Sequence, residues 1–132
     1  SVQLERIVED ARSDGGPQIE PEVLAEHAPA NVANCFAAVL REALSNTMRH
    51  AHAQNVTVRC MERPSFYQLI VTDDGTGATK TNSRGIAEGM GLGSMRERVE
   101  ALGGTFTAGP RAGAPGWRVF ATVPKQQGDD AR

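Results

Sequence analysis

Residues Asn55–Asp74, "NVTVRCMERPSFYQLIVTDD", decide the fold class. Through Asn55–Met61 apolar and polar residues alternate with β-branched side chains prominent, and a second apolar run extends from Phe66 to Asp74. Both patterns predict strands, and the intervening "ERPS" predicts a hairpin loop. Toward the N-terminus, Asn31–His52 carries Val32, Phe36, Val39, Leu40, Ala43, Leu44, Thr47 and Met48 at helical spacing, which predicts a long helix. Val2–Ala11 shows Leu4, Ile7, Val8 and Ala11 in the same rhythm and is stopped by the breakers of "SDGGP". A brief extended segment follows around Pro17–Leu24. Toward the C-terminus, Asp74–Gly93 is polar and glycine-rich. Met95, Val99 and Leu102 then mark a short helix closed by Gly103 and Gly104. "GTFTAGP" and "GWRVFATVP" predict two further strands joined by a turn at Gly109–Gly116.

The strands come in segregated hairpins, which do not supply the repeated strand–helix crossovers of a doubly wound parallel sheet. They predict an α/β, two-layer sandwich: a mixed, mostly antiparallel sheet covered on one face by helices. At 132 residues the chain is one ordinary domain, able to bury a core without metal or disulfide staples. A formal charge of −2 gives no global basic field for nucleic acid or an anionic membrane, so any anion site must be local. No apolar stretch approaches the roughly 18 residues of a membrane span, and the first residues lack a signal-peptide pattern. A soluble piece, cut from a longer protein, is therefore expected. Cys35 and Cys60 stand among apolar neighbours, as buried free thiols in a reducing compartment would; a Cys35–Cys60 disulfide is the less favoured alternative.

Glu42, Asn46 and His50 are spaced by four, so on a helix they share one stripe beside the apolar face of Phe36, Val39 and Ala43. A carboxylate, a carboxamide and an imidazole on one stripe can meet Mg²⁺ or phosphate, and they can equally form an ordinary polar helix edge. Asp73 shares alternation parity with Leu69 and Val71, so its carboxylate is expected to face the core, where it needs hydrogen-bond donors. A purine amine is one such donor; the turn N–H groups that follow the strand are another. Gly75 and Gly77 would let backbone approach a flat ring. Eight of the fourteen glycines lie between Gly75 and Gly104, as in a mobile cover over a ligand. Three of them, Gly89, Gly91 and Gly93, stand at a helix entrance, where N–H groups and partial positive charge favour phosphate.

Other phosphate motifs are excluded. No G-x-x-x-x-G-K-[ST] occurs, and the helix-entrance glycines follow a polar loop where a dinucleotide fingerprint needs a strand. His50 and His52, two residues apart, point to nearly opposite sides of a helix and do not make a zinc pair. Arg96 and Arg98 are expected on a solvated helix face, with phosphate or partner contact as the alternative. Trp117 fits either core or an exposed handle.

In order, "REALSNTMRH", "DDGTG" and "GMGLGSMRER" resemble the N, G1 and G2 boxes of the ATP-binding domain of sensor histidine kinases. The wording of "REALSN", "RHA" and "GLGSMRERVEALGG" is most similar to the subfamily of nitrate, degradative-enzyme and heme-based dormancy sensors. The resemblance covers nearly all of Asn31–Pro124. It implies the Bergerat fold, shared with gyrase-type, heat-shock and mismatch-repair ATPases, over residues 1–124, with an ATP lid at about 75–93 and a polar tail at 125–132.

Carried over by motif, the resemblance implies that Asn46 chelates Mg²⁺, Glu42 occupies the catalytic N-box position tied to water or metal, and His50 contacts phosphate. Asp73 would accept from the adenine amine beside Gly75 and Gly77, while Gly89, Gly91, Leu92 and Gly93 would form the lid hinge against the triphosphate of ATP. Two residues depart from the pattern: Asp74 stands where Asn is usual, and Gly116–Trp117 where Gly-Thr is frequent. The phosphoacceptor histidine of this family sits on a separate dimerising helical hairpin, and none of His27, His50 and His52 lies in such a motif. The expectation is thus the ATP-binding half of a cytoplasmic kinase domain, monomeric alone, whose parent protein can be membrane-anchored. Its partners would be the histidine-bearing domain and a response regulator with a helix-turn-helix output, with no nucleic acid or membrane contact. The alternatives are an anti-sigma-type serine kinase and a catalytically silent nucleotide-binding interaction module of the same fold. A nucleotide-independent structural domain is disfavoured by the clustered glycines.

Overall fold

The structure, a computed structural model, describes residues 2–12, 18–23, 28–48, 54–75 and 92–125. Helix α1 spans Val2–Ala11, strand β1 Gln18–Val23, helix α2 Ala30–Asn46, strands β2 Asn55–Glu62 and β3 Phe66–Asp73, helix α3 Leu92–Glu100, and strands β4 Thr105–Pro110 and β5 Trp117–Pro124. The five strands form one sheet in the order β1-β2-β3-β5-β4. Only β1 runs parallel to its neighbour, pairing Ile19 with Val56, because α2 carries the chain back across the sheet before β2 begins. Every other pairing is antiparallel. The architecture is the two-layer α/β sandwich that the hairpins predicted.

Alternation puts Val56, Val58 and Cys60 of β2 on the helix-covered face with Tyr67, Leu69 and Val71 of β3 and Val119, Ala121 and Val123 of β5, all buried. Phe36, Val39, Leu40 and Leu44 of α2 pack onto that face, Leu4, Ile7 and Val8 of α1 close one side, and Met95 and Val99 of α3 the other. Burying these side chains contributes roughly 1.5–3 kcal/mol each. Trp117 joins the core at 7% exposure, which resolves the choice that its sequence left open. Both cysteines are buried and free.

α2 is regular to Asn46 and then opens into a wider, π-type turn at Thr47–Met48; the remainder of the predicted helix, 49–52, lies outside the described residues. Met48, expected on the apolar stripe, is 38% exposed because it follows the point where the helix loses its 3.6-residue register. α3 ends in a Schellman closure: Gly104 N–H bonds Val99 O and Gly103 N–H bonds Glu100 O, with Gly103 at φ 77°. At the end of β5, Lys125 reaches back to the β2–β3 hairpin, its Nζ 2.7 Å from Glu62 Oε2.

Candidate functional site

β3 carries Tyr67, Leu69, Val71 and Asp73 inward by alternation, so the strand delivers a carboxylate to the end of the core face. Asp73 is only 4% exposed. The Gly75 N–H donates to its Oδ1 at 2.9 Å and the Thr47 hydroxyl to its Oδ2 at 3.2 Å. Burial pushes the Asp73 carboxyl up from the ordinary carboxylate value; the donors on Gly75, Thr47 and the Trp117 backbone oppose that shift, and neighbouring Asp74 adds to it. The carboxylate faces the core, as its alternation parity predicted, and a turn N–H supplies one of the donors it needs.

The end of α2 abuts this carboxylate. Asn46 is buried, with its Oδ1 fully enclosed, and Glu42, one turn earlier, is half-buried. The chain enters β5 at Gly116, whose φ of 121° and close approach to the Asp73 carbonyl leave no space for a side chain. Trp117 then pairs with Asp73 across the β3–β5 ladder. Gly75, buried, completes the backbone around Asp73.

Asp74, the departure from the usual Asn, points the other way from Asp73. Its Oδ1 accepts from the N–H groups of Gln54 and Asn55, and its Oδ2 from Asn55 Nδ2, each at 2.9 Å. These bonds hold its carboxyl below the ordinary value. The residue thus locks the start of β2 to the end of β3.

Of the predicted lid hinge, Leu92 opens α3 and packs against the core, while Gly93 is exposed with open space around its Cβ position. His50, Gly77, Gly89 and Gly91 lie outside the described residues. Arg96 is exposed, as the solvated-face expectation had it, and it also makes a contact that its spacing did not announce. Its Nη1 donates to Phe106 O at 3.1 Å and its guanidinium lies 5.4 Å from the Phe106 ring centroid, so it ties α3 to β4.

The structure therefore brings the inner end of α2, Asp73 and Gly75 together. Sequence reasoning missed Thr47, counted there as a core-stripe position, and the steric role of Gly116. A threonine on an otherwise apolar stripe, four residues after Ala43, was the available signal. A separate groove of about 740 Å³ lies between α1 and α2, lined by Ile7, Leu44 and Met48 with Arg6, Asp10 and Arg41. It includes none of the residues gathered around Asp73, and its apolar floor suits phosphate poorly. Among the described residues no cluster of three His, Cys, Asp or Glu side chains could hold a metal, and no helix is long and apolar enough to cross a membrane.

Residues 31–127 match the family described as histidine kinase-, DNA gyrase B-, and HSP90-like ATPase. The signal transduction histidine-protein kinase/phosphatase UhpB of Salmonella typhimurium is 36% identical over 67% of this chain, and the nitrate/nitrite sensor protein NarQ of Escherichia coli is 33% identical over 71%. The sensor histidine kinase NarS of Mycobacterium tuberculosis is 46% identical over 55% of the chain. The chain spans less than a fifth of the length of these relatives, 16% for UhpB and NarQ and 18% for NarS. Among solved structures, the blue-light activated histidine kinase of Erythrobacter litoralis EL346 superimposes with a TM-score of 0.75 over 98% of this chain and 41% of its own, at 19% identity. Acinetobacter baumannii histidine kinase AdeS gives 0.72 over 93% of this chain and 63% of its own, at 16% identity. These two are likenesses of fold.

Proposed function

Since the chain belongs to the histidine kinase-, DNA gyrase B- and HSP90-like ATPase family, nucleotide binding comes with that membership, and we propose that it serves as the ATP-binding catalytic domain of a two-component sensor kinase. The observation that carries this reading is Asp73: a carboxylate 4% exposed, held by Gly75 and Thr47 at the end of the helix-covered sheet face. A buried carboxylate is costly unless several donors meet it, and an exocyclic amine of adenine is a fitting further donor. Gly75 and Gly77 would let the backbone approach the ring.

The donors at the end of α2 fit magnesium by their chemistry. Asn46 offers a hard carboxamide oxygen and Glu42 a carboxylate on the same stripe, the ligand types that Mg²⁺ takes. Asn46 would hold the ion, Glu42 would orient a water or the metal, and His50 would hydrogen-bond phosphate. Gly89, Gly91, Leu92 and Gly93 would hinge a lid at about 75–93, presenting the N-terminal N–H groups of α3 to the triphosphate. ATP would supply the γ-phosphoryl group. The catalytic domain would span 1–124, with 125–132 as a tail.

The acceptor would be a histidine on a dimerising helical domain of the same parent protein, and an aspartate on a response regulator with a helix-turn-helix output would receive the group next. The names of the relatives, sensor proteins and sensor kinases, support this reading. The domain would work on the cytoplasmic side of a parent that can be membrane-anchored. The test is titration with a non-hydrolysable ATP analogue, with and without Mg²⁺, on the wild type and Asn46→Ala. Saturable one-site binding that Mg²⁺ strengthens in the wild type and not in the variant is expected. A folded wild type that binds no analogue would contradict the proposal.

A further inference from the structure

Thr47 occupies a position that an aliphatic side chain could fill, yet it brings a hydroxyl. It closes α2, its N–H shared between Ala43 O and Leu44 O where the helix widens. Neighbouring helix residues point about 100° apart, so Asn46 and Thr47 diverge, although both are buried at 8% and 5%. A buried hydroxyl requires a partner, and this one is a residue 26 positions away: Oγ1 lies 3.2 Å from Asp73 Oδ2. Wider turns of this kind recur at functional sites.

An ionised carboxylate has about four acceptor positions. At Asp73 the described residues make two hydrogen bonds to the carboxylate: the Gly75 N–H to Oδ1 and the Thr47 hydroxyl to Oδ2. About two acceptor positions remain, which leaves room for an N–H from a bound base. An ionised carboxylate only accepts. It therefore matches the exocyclic amine of adenine and opposes the carbonyl oxygen that guanine carries at the equivalent ring position. A protonated carboxyl could donate, and would tolerate that oxygen.

Resting on the nucleotide reading above, we propose that Thr47 is a positioning residue: its hydroxyl holds Asp73 as an acceptor-only group and thereby sets selectivity for adenine over guanine nucleotides. Burial favours the neutral form of Asp73, and the Thr47 donor works against it. Removing the hydroxyl frees Oδ2, lets the carboxyl rotate, and shifts it toward the form that no longer discriminates. Thr47 itself need not touch the base.

The experiment compares dissociation constants of Mg-ATP and Mg-GTP for the wild type, Thr47→Val, Thr47→Ser and Thr47→Ala, with thermal unfolding of each as a check on folding. Thr47→Val keeps the shape and loses the hydroxyl. It is expected to weaken ATP binding by about ten-fold, the scale of one hydrogen bond to a charged group, with GTP binding unchanged or improved. Thr47→Ser should restore the wild-type ratio, and Thr47→Ala should repeat the loss of selectivity if Thr47→Val fails to fold. Equal weakening of ATP and GTP would mean a merely structural residue and would overturn the proposal while the nucleotide reading stands. An unchanged ratio in Thr47→Val would do the same. A folded wild type that binds neither nucleotide would instead defeat the nucleotide reading and this inference with it.

Discussion

Gly116 approaches Asp73 so closely that a Cβ on the glycine would stand 1.9 Å from the Asp73 carbonyl oxygen. The contact is backbone against backbone, at the point where β5 enters beside β3, so neither partner can move without breaking the ladder that pairs Asp73 with Trp117. The base-reading carboxylate proposed for this site thus depends on a residue with no side chain.

Gly116→Ala is expected to cost about 3 kcal/mol or more, since it adds a steric overlap to a left-handed backbone angle. Gly113→Ala is the control: φ there is 72°, with open space around the Cβ position, and a loss of about 1 kcal/mol is expected. Denaturant unfolding of both variants measures the difference. Equal losses would remove the close-approach explanation.

Asp73 and Asp74 are adjacent in sequence and opposite in linkage. The Asp74 carboxyl is held low by its bonds to Gln54 and Asn55, so its contribution is present above the unfolded value near 4 and is lost as pH falls through its folded value. The Asp73 carboxyl is pushed up by burial, so its contribution runs the other way and stability falls as pH rises through the folded value. Unfolding free energy followed from pH 3 to 7 should lose acid sensitivity in Asp74→Asn and gain it in Asp73→Asn. Parallel profiles for the two variants would contradict these assignments.

Arg96→Ala should destabilise the fold by about 1–2 kcal/mol, because it removes both the bond to Phe106 O and the contact with the Phe106 ring. Arg98→Ala, two residues on along the exposed side of α3, should stay within about 0.5 kcal/mol. Comparable effects in the two variants would show that the α3–β4 tie carries no stability.

Neither cysteine should react quickly with a thiol reagent at pH 8 while the protein is folded. Burial pushes the Cys60 thiol up to about 11 and raises that of Cys35 as well, partly opposed by Arg98. Two thiols should titrate once the chain is denatured without reductant. Fewer than two would indicate the disulfide that the buried, free pair argues against.

Local pattern was enough for the long helix, both hairpins and the inward direction of Asp73, because each depends on periodicity within a few residues. The strand Gln18–Val23 was legible only as an extended segment. Its sequence, "QIEPEV", contains a proline that a central strand would reject, and its place at the sheet edge beside β2 is what accommodates Pro21. Strand order and the single parallel pairing are set by contacts distant in sequence. The partners of Thr47 and Arg96 were hidden for the same reason: one is Asp73 and the other Phe106, and neither pairing leaves a mark on helical spacing. Of the candidate site, the inward aim of Asp73 was legible from alternation, while the Thr47 donor beside it required the fold.

The most direct measurement is calorimetric titration of Mg-ATP into the wild type and Asp73→Asn. An asparagine keeps one acceptor oxygen and replaces the other with a donor, so an adenine amine would meet an N–H where it needs a lone pair. One-site binding in the wild type, weakened at least ten-fold in the folded variant, is the predicted result. Equal affinity in the two proteins would contradict the claim that Asp73 reads the base.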